Sequence, residues 1–506
     1  MKRMYRKYAA TLAVFGAGMF VIGTASVFKK DRPLDKTIRD ITAPLAGLGV
    51  KVDSGNTTFV KPLPKGNARL VTDYASRVTT DTWKETRGGQ TVSVSDKLWS
   101  RAIQAALDEN KIIRIPDQGW PYYIDAPLIL HSGNHLMVDL KVEIRLKPNT
   151  NTCMVRNEHP VSGQNGPVYL KENPDVDIII EGGIWTTLAI GTESNGNVSG
   201  GPDPANALHG HGTILLNHVR RVQVRNLTIK ECRPHGIQLS NVSEFVIENI
   251  RFIDHGRDGV HMNGPVSYGL IRNIQGKTFD DFIAVNAWDW KNTAPTFGPI
   301  HYLLIEKVRA ETNDVEIRLL GGTKHFADGK TLDCDIHDCV IRDVSGVKTF
   351  KMYDQPNLEL GRDNDFTDPI GNVRNLYLSD VTIKNPPEPP FQIGMNVDGL
   401  TLDQITMTFD KPGKACKLVR IGPMSATYKH DPNNPSSWVE IFSPEKDCTV
   451  RNLNLVHLTR TQSVNGKTVT TSLGESDCLE IVAQKINPDY PETTPKGGRG
   501  KGILIK

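Results

Sequence analysis

Short runs of hydrophobic and β-branched residues recur along the chain from about residue 175 to residue 460. The clearest runs, which Asn, Asp and Gly residues separate, are at 176–180, 222–226, 245–249 and 269–273. Branched aliphatic side chains favour strands, whereas these small polar residues favour turns. The pattern therefore predicts many short strands joined by tight turns.

Whole phrases repeat in this region, and not only strands. The repeat is clearest in two sets of residues separated by 23 or 24 positions, namely the asparagines at 226, 249 and 273 and the aliphatic residues at 237, 260 and 283. A period in the low twenties is typical of a solenoid, in which each coil buries its inward side chains against its neighbours. An ordinary β-sandwich would show strands about every 8–12 residues without repeated phrases. We therefore predict an all-β fold, a single-stranded right-handed parallel β-helix.

An amphipathic segment precedes the strands. Apolar residues recur there at helical spacing, at positions 102, 103, 106 and 107, and Ser95 is the expected N-cap. We predict an N-terminal helix that caps the open end of the solenoid, followed by a strand at 112–116. The predicted β-helix domain spans 95–460, between a linker and irregular lead-in at 31–94 and a C-terminal tail at 461–506.

The N-terminus has the pattern of an export signal. Lys2, Arg3 and two further basic residues precede an uncharged run at 8–28, and a basic region before an apolar stretch begins such signals. The run is long for a signal core and near the lower limit for crossing a bilayer. Residues 1–30 are therefore predicted to be either a signal peptide or a membrane anchor. In both cases we expect the rest of the chain to be exported, as a secreted or periplasmic protein.

Composition restricts the partners. The chain has 60 basic and 57 acidic residues and a net charge of only +3, whereas a nucleic-acid-binding protein would show a larger or more clustered basic excess. We therefore expect no nucleic-acid partner. The seven cysteines are irregularly spaced and form no disulfide framework. We interpret them as buried small side chains with at most one bridge, and we expect a monomer.

Three successive coils bring acidic residues into register. Aligned on the repeat, the coils begin at His235, Asp258 and Asp281. Equivalent positions in adjacent parallel strands are about 4.8 Å apart. Asp258 and Asp281 are therefore predicted to lie one above the other on an outer wall, with His235 beneath them. The neighbouring Asp280 would point to the opposite face of a regular strand, so at least one of this pair must lie at a corner.

Other polar residues extend the same face and are candidates for substrate binding. His261 and Asn286 face outward in two further columns. The following coil, fitted to the same frame, would place Glu316 near the column of His261 and Arg318 near that of Asn286. Trp288 follows directly and offers a ring for sugar stacking, although it could also pack within its loop. Arg318 could simply pair with Glu316.

Clustered carboxylates suit the cleavage of glycosidic bonds. Because stacked carboxylates repel each other, the pKa of one is raised and it can hold a proton near neutrality. A protonated acid beside an ionised base is what glycosidic hydrolysis requires. A single aspartate would be interpreted as a turn residue, but Asp258, Asp280 and Asp281 together at one-coil spacing favour a catalytic role.

The two acidic motifs resemble those of the polygalacturonases, glycoside hydrolase family 28. The sequence Asp258-Gly-Val-His, followed 22 residues later by Asp280-Asp-Phe-Ile-Ala, is similar to the family's Asn-Thr-Asp-Gly-Ile-Asp and Gly-Asp-Asp-Cys-Ile-Ala. The similarity covers roughly residues 95–400. It implies a right-handed parallel β-helix and an inverting hydrolase that needs no metal. By this resemblance Asp280 would be the general acid, and Asp258 and Asp281 would activate water.

The chain departs from the family pattern at several positions. Arg257, Phe282 and Glu316 replace the family's residues, and the Gly-His-Gly expected after the Asp pair is found upstream, at 210–212. One arginine is thereby lost from the expected basic pair. The sugar that the resemblance implies need not be polygalacturonate.

Two other classes of function remain open. A lyase or epimerase on the same solenoid would need Ca²⁺ bound by the carboxylates. A non-catalytic solenoid would bind glycan and lose no turnover in an Asp280→Asn variant. A hydrolase acting on a polysaccharide or oligosaccharide is the preferred prediction.

Overall fold

The structure is a computed structural model. The residues that it describes lie at 33–53, 56–59, 67–87, 90–150, 152–187, 212–289, 294–353, 371–411, 415–422, 426–431, 434–442, 448–464 and 467–481. The apolar run at 8–28, and with it the predicted signal or anchor, lies outside these ranges. Among the described residues, no helix combines the length and the hydropathy needed to cross a membrane.

The segment predicted as an irregular lead-in is largely ordered. It forms helix α1 (Pro33–Thr42), two 3-10 helices (Ala43–Leu48 and Val71–Arg77) and five strands, β1 (Val50–Asp53), β2 (Asn56–Phe59), β3 (Arg69–Leu70), β4 (Thr79–Arg87) and β5 (Gln90–Leu98). β4 and β5 pair as an antiparallel hairpin. These elements show no repeat in sequence because each packs against the solenoid individually and not against a copy of itself.

The predicted capping helix exists but begins later than expected. Helix α2 (Ser100–Glu109) follows β5 directly, and Trp99 occupies the N-cap position. Ser95, the predicted N-cap, lies within β5 and its main chain pairs with Thr82. The inward face of α2, including Ile103 and Ala106, is buried in the main core over the first strands. The helix therefore covers the solenoid end, as predicted.

The rest of the described chain is a parallel β-helix with short antiparallel hairpins. Its strands and one short helix, in chain order, are β6 (Ile112–Ile115), β7 (Tyr122–Ile124), β8 (Leu128–Leu130), β9 (His135–Leu146), β10 (Val155–Asn157), β11 (Asp175–Thr186), β12 (Gly212–Lys230), β13 (His235–His255), β14 (Val260–Thr278), β15 (Ile283–Asn286), β16 (Ile300–Ala310), β17 (Glu316–Leu320), β18 (Gly322–His325), β19 (Thr331–Cys334), β20 (Ile336–Ser345), β21 (Thr349–Tyr353), β22 (Asn372–Lys384), β23 (Phe391–Gly394), β24 (Asn396–Phe409), β25 (Val419–Ile421), β26 (Ala426–Asp431), β27 (Asn434–Phe442), β28 (Val450–Val456), β29 (Thr459–Val464), β30 (Lys467–Ser472), α3 (Glu475–Cys478) and β31 (Leu479–Ile481). Consecutive coils pair in parallel, as in β12 with β13 and β13 with β14.

The predicted period holds where the coils are shortest. Ile237, Val260 and Ile283 are register partners in adjacent coils and fully buried in one continuous core. The next members of this column, Ile317 and Phe350, follow after 34 and 33 residues. The residues between β15 and β16 and the hairpin β18–β19 lengthen these two coils. The inward column therefore continues unbroken while the sequence period is lost.

Asparagines at one coil corner form the ladder that their spacing predicted. Asn226, Asn249 and Asn273 all have positive φ, at 57°, 56° and 54°, a conformation that Asn adopts more readily than most residues. The amide of Asn249 donates to the side-chain oxygen of Asn226 at 2.8 Å, and Asn273 donates in turn to Asn249. Each corner is thus tied to the next.

Helix α1 covers part of the outer surface of the solenoid. Its Ile38 and Ile41, with Leu45 from the following 3-10 helix, are fully buried against an outward-facing column of four apolar residues, Val246, Leu270, Leu304 and Val340. Outward apolar residues in a solenoid strand would otherwise meet water. The hydrophobic effect therefore favours docking of α1 on this face.

Candidate active site

The structure brings Asp258, Asp280 and Asp281 together. Asp258 lies between β13 and β14, and the other two lie in the bend between β14 and β15, where side chains need not alternate between faces. One carboxylate oxygen from each of the three residues lies within 4.8 Å of the others. The main chain holds the two coils in this register, because Gly259 N donates to the carbonyl oxygen of Asp281 at 2.9 Å.

The three carboxylates differ in exposure. Asp280 is exposed, whereas Asp258 and Asp281 are 1% and 3% exposed. The sequence predicted all three on an open outer wall, and that prediction is wrong for the two buried residues. The side chains of His235, His261 and Arg318 pack around them at contact distance. Asp280 is therefore the carboxylate that an external substrate can reach.

Register places Arg318 two positions away from where the sequence alignment put it. Ile283 pairs with Ile317, so Arg318 continues the column of His261 and Ala284, and not that of Asn286. Glu316 is one residue before Ile317 and does not lie in the His261 column. The predicted columns of both residues are wrong because this coil is longer than the repeat, so the spacing did not show that Ile317 is the inward partner of Ile283.

Arg318 joins the two buried aspartates. One of its terminal nitrogens lies 2.7 Å from Asp281 Oδ2 and 3.3 Å from Asp258 Oδ2. The shorter contact is an ion pair that lacks hydrogen-bond alignment, since Asp281 Oδ2 has no hydrogen-bond partner among the described residues. Glu316 pairs instead with Lys351 at 2.7 Å. Arg318 thus brings positive charge to both buried carboxylates.

His261 lies between two carboxylates. Its Nδ1 is 2.6 Å from Asp258 Oδ2, and its Nε2 is 3.0 Å from Asp289 Oδ2. The ring of His235 stacks on it, with centroids 3.9 Å apart. The predicted location of His261 beside the acidic cluster is therefore correct. Its 1% exposure, however, makes it a partner of Asp258 and not a surface contact for sugar.

Asp289 is a residue of this network that the sequence did not reveal. It accepts a hydrogen bond from Asn286 at 2.8 Å and a longer one from Asn263 at 3.3 Å. Asp289 lies in the loop after β15, outside the repeat, so no spacing relates it to His261. Its only signal in the sequence is a carboxylate next to Trp288.

Asn286 and Trp288 are not surface residues. Both are fully buried, and the Trp288 ring packs against Gly322 and belongs to the main core. This corrects the prediction of an exposed aromatic face for sugar stacking and leaves the alternative, packing within the fold. Asn286 supports Asp289, as described above, and does not reach solvent.

Burial and charge separate the protonation states of the aspartates. Burial raises the pKa of Asp258, but the hydrogen bond from His261 and the charge of Arg318 outweigh it, so the net pKa is lowered. Desolvation by its neighbours and the charge of Asp258 raise the pKa of Asp280. Burial raises the pKa of Asp281 well above its ordinary value, despite Arg318. The site therefore combines one ionised carboxylate with two that hold protons more strongly.

Burial and the neighbouring carboxylates also shift the pKa values of two histidines, His261 and His255. Burial alone would lower the pKa of His261, but its hydrogen bonds to Asp258 and Asp289 raise it to about 9. His261 is therefore an imidazolium at neutral pH. The Nε2 of His255 lies 2.9 Å from the main-chain oxygen of Asp258 and not from a carboxylate. Its ring is fully buried, and burial lowers its pKa to about 4.

The comparisons with known proteins concern the fold. Residues 212–385 match the family model described as a right handed beta helix region, and the chain matches no curated protein in sequence. Similar solved structures include an exopolygalacturonase from Thermotoga maritima, at 13% identity and a TM-score of 0.45, covering 87% of this chain and 99% of that one. An endo-xylogalacturonan hydrolase from Aspergillus tubingensis has 12% identity and a TM-score of 0.43, covering 83% and 98%.

A third similar structure is not described as an enzyme. The surface adhesin PfbA of Streptococcus pneumoniae has 14% identity and a TM-score of 0.38, covering 80% of this chain and 100% of its own. Likeness at these levels carries no argument about activity. The family match and the parallel register together identify the fold as a right-handed parallel β-helix.

Proposed function

We propose that this protein is a glycoside hydrolase that cleaves a polysaccharide, with Asp280 as the general acid and Asp258 as the base that activates water. Asp281, whose pKa is raised well above its ordinary value, would be a second hydrogen-bonding partner of that water. The observation that carries the proposal is the convergence of three carboxylates from two adjacent coils, with oxygens within 4.8 Å and only one side chain exposed. Packing of a solenoid surface gives no reason to bury two aspartates beside a third.

Asp280 has the properties of a proton donor. Its side chain is exposed, so it can contact the glycosidic oxygen of a bound chain. Its raised pKa keeps more of it protonated at a given pH than an ordinary aspartate. A carboxylic acid with a raised pKa is the group that protonates the leaving oxygen in glycoside hydrolysis.

Asp258 has the properties of the base. Its pKa is lowered, and its Oδ1 is buried without a hydrogen-bond partner among the described residues. A buried oxygen of this kind is a strong acceptor for water. We propose that the nucleophilic water donates to Asp258 Oδ1 and lies beside Asp281, while Arg318 stabilises the ionised form.

The stereochemical outcome rests on the resemblance. Inverting enzymes usually keep their two carboxyl groups about 6.5–9.5 Å apart, to leave room for the water, whereas here the nearest oxygens lie within 4.8 Å. We propose inversion at the anomeric carbon, with the nucleophilic water beside the three aspartates and not between two carboxyl groups that face each other. The anomer released first, followed by NMR during hydrolysis, tests this directly, and retention would contradict it.

A Ca²⁺-dependent lyase or epimerase is the alternative that the same carboxylates raise. Arg318 contacts both buried aspartates, so these two carboxylates already have a positively charged partner. We therefore favour the hydrolase. A lyase would lose activity with a chelator and release an unsaturated product that absorbs in the ultraviolet, and neither result is expected.

The direct test is a screen of the purified protein against plant and algal polysaccharides. Polygalacturonate and the neutral polymer obtained from it by carboxyl reduction form a matched pair within this screen. We expect new reducing ends with the native protein and none with Asp280→Asn. An Asp328→Asn variant, which removes an exposed carboxylate that pairs with Lys330, is the control. Equal activity of Asp280→Asn and the native protein would refute the assignment, and binding without any cleavage would favour a glycan-binding solenoid.

We also propose that the protein is exported and acts as a monomer on glycan outside the cytoplasm. The basic and apolar pattern of residues 1–30 supports export. Cell fractionation of the full chain tests it. Size-exclusion chromatography with light scattering measures the oligomeric state.

A further inference from the structure

A cavity lined by both polar and apolar residues lies on the face that carries the acidic cluster. It has a volume of about 610 Å³, which is within the range of ligand pockets. Arg420, Arg460 and Glu480 contribute to its lining, and the segment around Pro387 and Pro389 forms one wall. The cavity is separate from the three aspartates, none of which lines it.

The register of the strands connects this cavity to Arg318. The outward column continues from Arg318 through Lys351 and Gln392 to Arg420, one residue per coil. Three coil spacings separate Arg318 from Arg420, and one more separates Arg318 from the β15 coil that follows Asp280. Four spacings amount to about 19 Å, a distance that a chain of several sugar units spans. A polysaccharide held at Asp280 and extending along the solenoid axis would therefore reach Arg420.

The lining residues have the chemistry that binds sugar hydroxyls. The Nε atoms of Arg420 and Arg460 are buried and have no hydrogen-bond partner within the described part of the chain. Carboxylates of Glu388, Asp477 and Glu480 line the same cavity. Guanidinium groups donate and carboxylates accept, so together they match the paired donors and acceptors of vicinal hydroxyl groups. Lys417 also lines the cavity, so three cationic side chains balance the three carboxylates and the lining has no net charge that would select a free ion.

We propose that this cavity is a distal subsite that binds a hexose or hexuronate unit of the polysaccharide, several sugars away from the cleavage point. The proposal deepens the proposed function and rests on it for the identity of the ligand. The subsite would add binding energy remote from the reacting bond. It would therefore favour long chains over short ones.

A native thiol allows the subsite to be tested without a mutation in the cavity itself. Cys416 lines the cavity and is partly exposed, whereas the other six cysteines are buried. Burial raises the pKa of Cys416 to about 11, so its alkylation by N-ethylmaleimide is slow enough to follow by mass spectrometry. The experiment uses the Asp280→Asn protein because this variant is expected not to cleave the polymer. We expect either polygalacturonate or its carboxyl-reduced counterpart to slow the alkylation of Cys416 at least about fivefold. Protection by polygalacturonate would identify a uronate as the ligand, and protection by the reduced polymer would identify a neutral sugar.

Kinetics provide a second, independent measurement. Loss of one charge-assisted hydrogen bond weakens binding about tenfold or more. Arg420→Met and Arg460→Met are therefore expected to raise the KM for the polymer about tenfold and to leave kcat, and the cleavage of short oligosaccharides, unchanged. Arg374→Met, on another face of the solenoid, is the control for the loss of an arginine.

The outcomes separate the subsite from the catalytic proposal. Cleavage of a polymer with no protection of Cys416 and an unchanged KM in Arg420→Met would overturn the subsite and leave the hydrolase standing. Protection of Cys416 without any cleavage would support the subsite and refute the hydrolase. Absence of both protection and binding with both polymers would overturn the subsite.

Discussion

His261 Nδ1 lies 2.6 Å from Asp258 Oδ2, and both side chains are only 1% exposed. The imidazole also contacts Asp289 at 3.0 Å, so a single cationic ring joins two buried carboxylates. A buried carboxylate without a partner would take up a proton. This contact therefore favours the ionised form of Asp258, while Asp280 and Asp281, a few ångströms away, hold their protons more strongly than ordinary aspartates.

Activity should have an acidic optimum. Cleavage needs Asp280 protonated and Asp258 ionised, and the pKa of the first is raised above 3.8 while that of the second is lowered below it. We expect kcat/KM to fall as pH drops below 3.8 and to fall again as pH rises through the pKa of the protonated carboxylates. The two limbs report apparent values of the coupled cluster. A rate that rises steadily to pH 9 would contradict this assignment.

Arg318 should control the acid limb of that profile. The charge of Arg318 lowers the pKa of Asp258, and its guanidinium group contacts Asp281. Without this charge the pKa of Asp258 rises. Arg318→Met is therefore expected to reduce kcat/KM about a hundredfold and to move the acid limb of the profile to higher pH. Arg318→Lys keeps the charge and should lose less activity, although one ammonium group cannot reproduce the fixed guanidinium geometry. Arg221→Met, which removes an ion pair with Asp177 elsewhere on the solenoid, should leave kcat/KM unchanged. An unshifted acid limb in Arg318→Met would count against the electrostatic role.

His261 should make stability depend on alkaline pH. Its pKa is 6.5 in the unfolded chain and is raised to about 9 in the folded protein. The stability that it contributes is therefore fully present below pH 6.5 and is lost as pH rises through about 9, by an amount on the order of 3 kcal/mol. Chemical denaturation at several pH values measures this loss, which should be smaller in His261→Gln.

The His261→Gln variant should itself be destabilised by about 3 kcal/mol, because it leaves Asp258 and Asp289 buried without their cation. His457→Gln is the matched control. His457 contacts Asp403 at 2.8 Å, but its side chain is 75% exposed, so its loss should change stability little. Equal effects of the two substitutions would show that burial of the His261 network is not what matters.

The asparagine ladder should depend on backbone conformation and on side-chain hydrogen bonds separately. Asn249 has a φ of 56°. Its side chain donates a hydrogen bond to Asn226 and accepts one from Asn273. Asn249→Gly keeps the left-handed conformation and loses the bonds, whereas Asn249→Ala loses the bonds and adds strain. We expect a loss of about 1 kcal/mol for Gly and about 1 kcal/mol more for Ala, measured by urea denaturation. A glycine variant less stable than the alanine variant would contradict the conformational argument.

The repeat was predictable where local chemistry and tertiary contacts coincide. Inward Ile237, Val260 and Ile283 recur because each coil buries the same positions, and the corner asparagines recur because each corner needs the same turn. The approach of Asp258 to Asp281 follows from the same spacing. The bend at Asp280 follows because two adjacent side chains can lie on one face only where the strand is not regular. These relationships are one coil apart and need no knowledge of the loops.

The predicted register was wrong where additional residues lengthen a coil beyond the repeat. The long coil after Asn286 moved Glu316 and Arg318 by two positions from their expected columns. Helix α1 and hairpin β4–β5 contain no repeat, and only their docking on the solenoid reveals them as ordered.

The sequence by itself determined the stacked coils, their corners and the meeting of three aspartates, because short-range spacing along a solenoid becomes distance between neighbouring strands. Only the tertiary structure decided which carboxylates are buried, that Arg318 and His261 neutralise them, and that Asp289 completes the network. Exposure and charge compensation depend on residues from loops and distant coils, and no period in the chain records where those residues will pack.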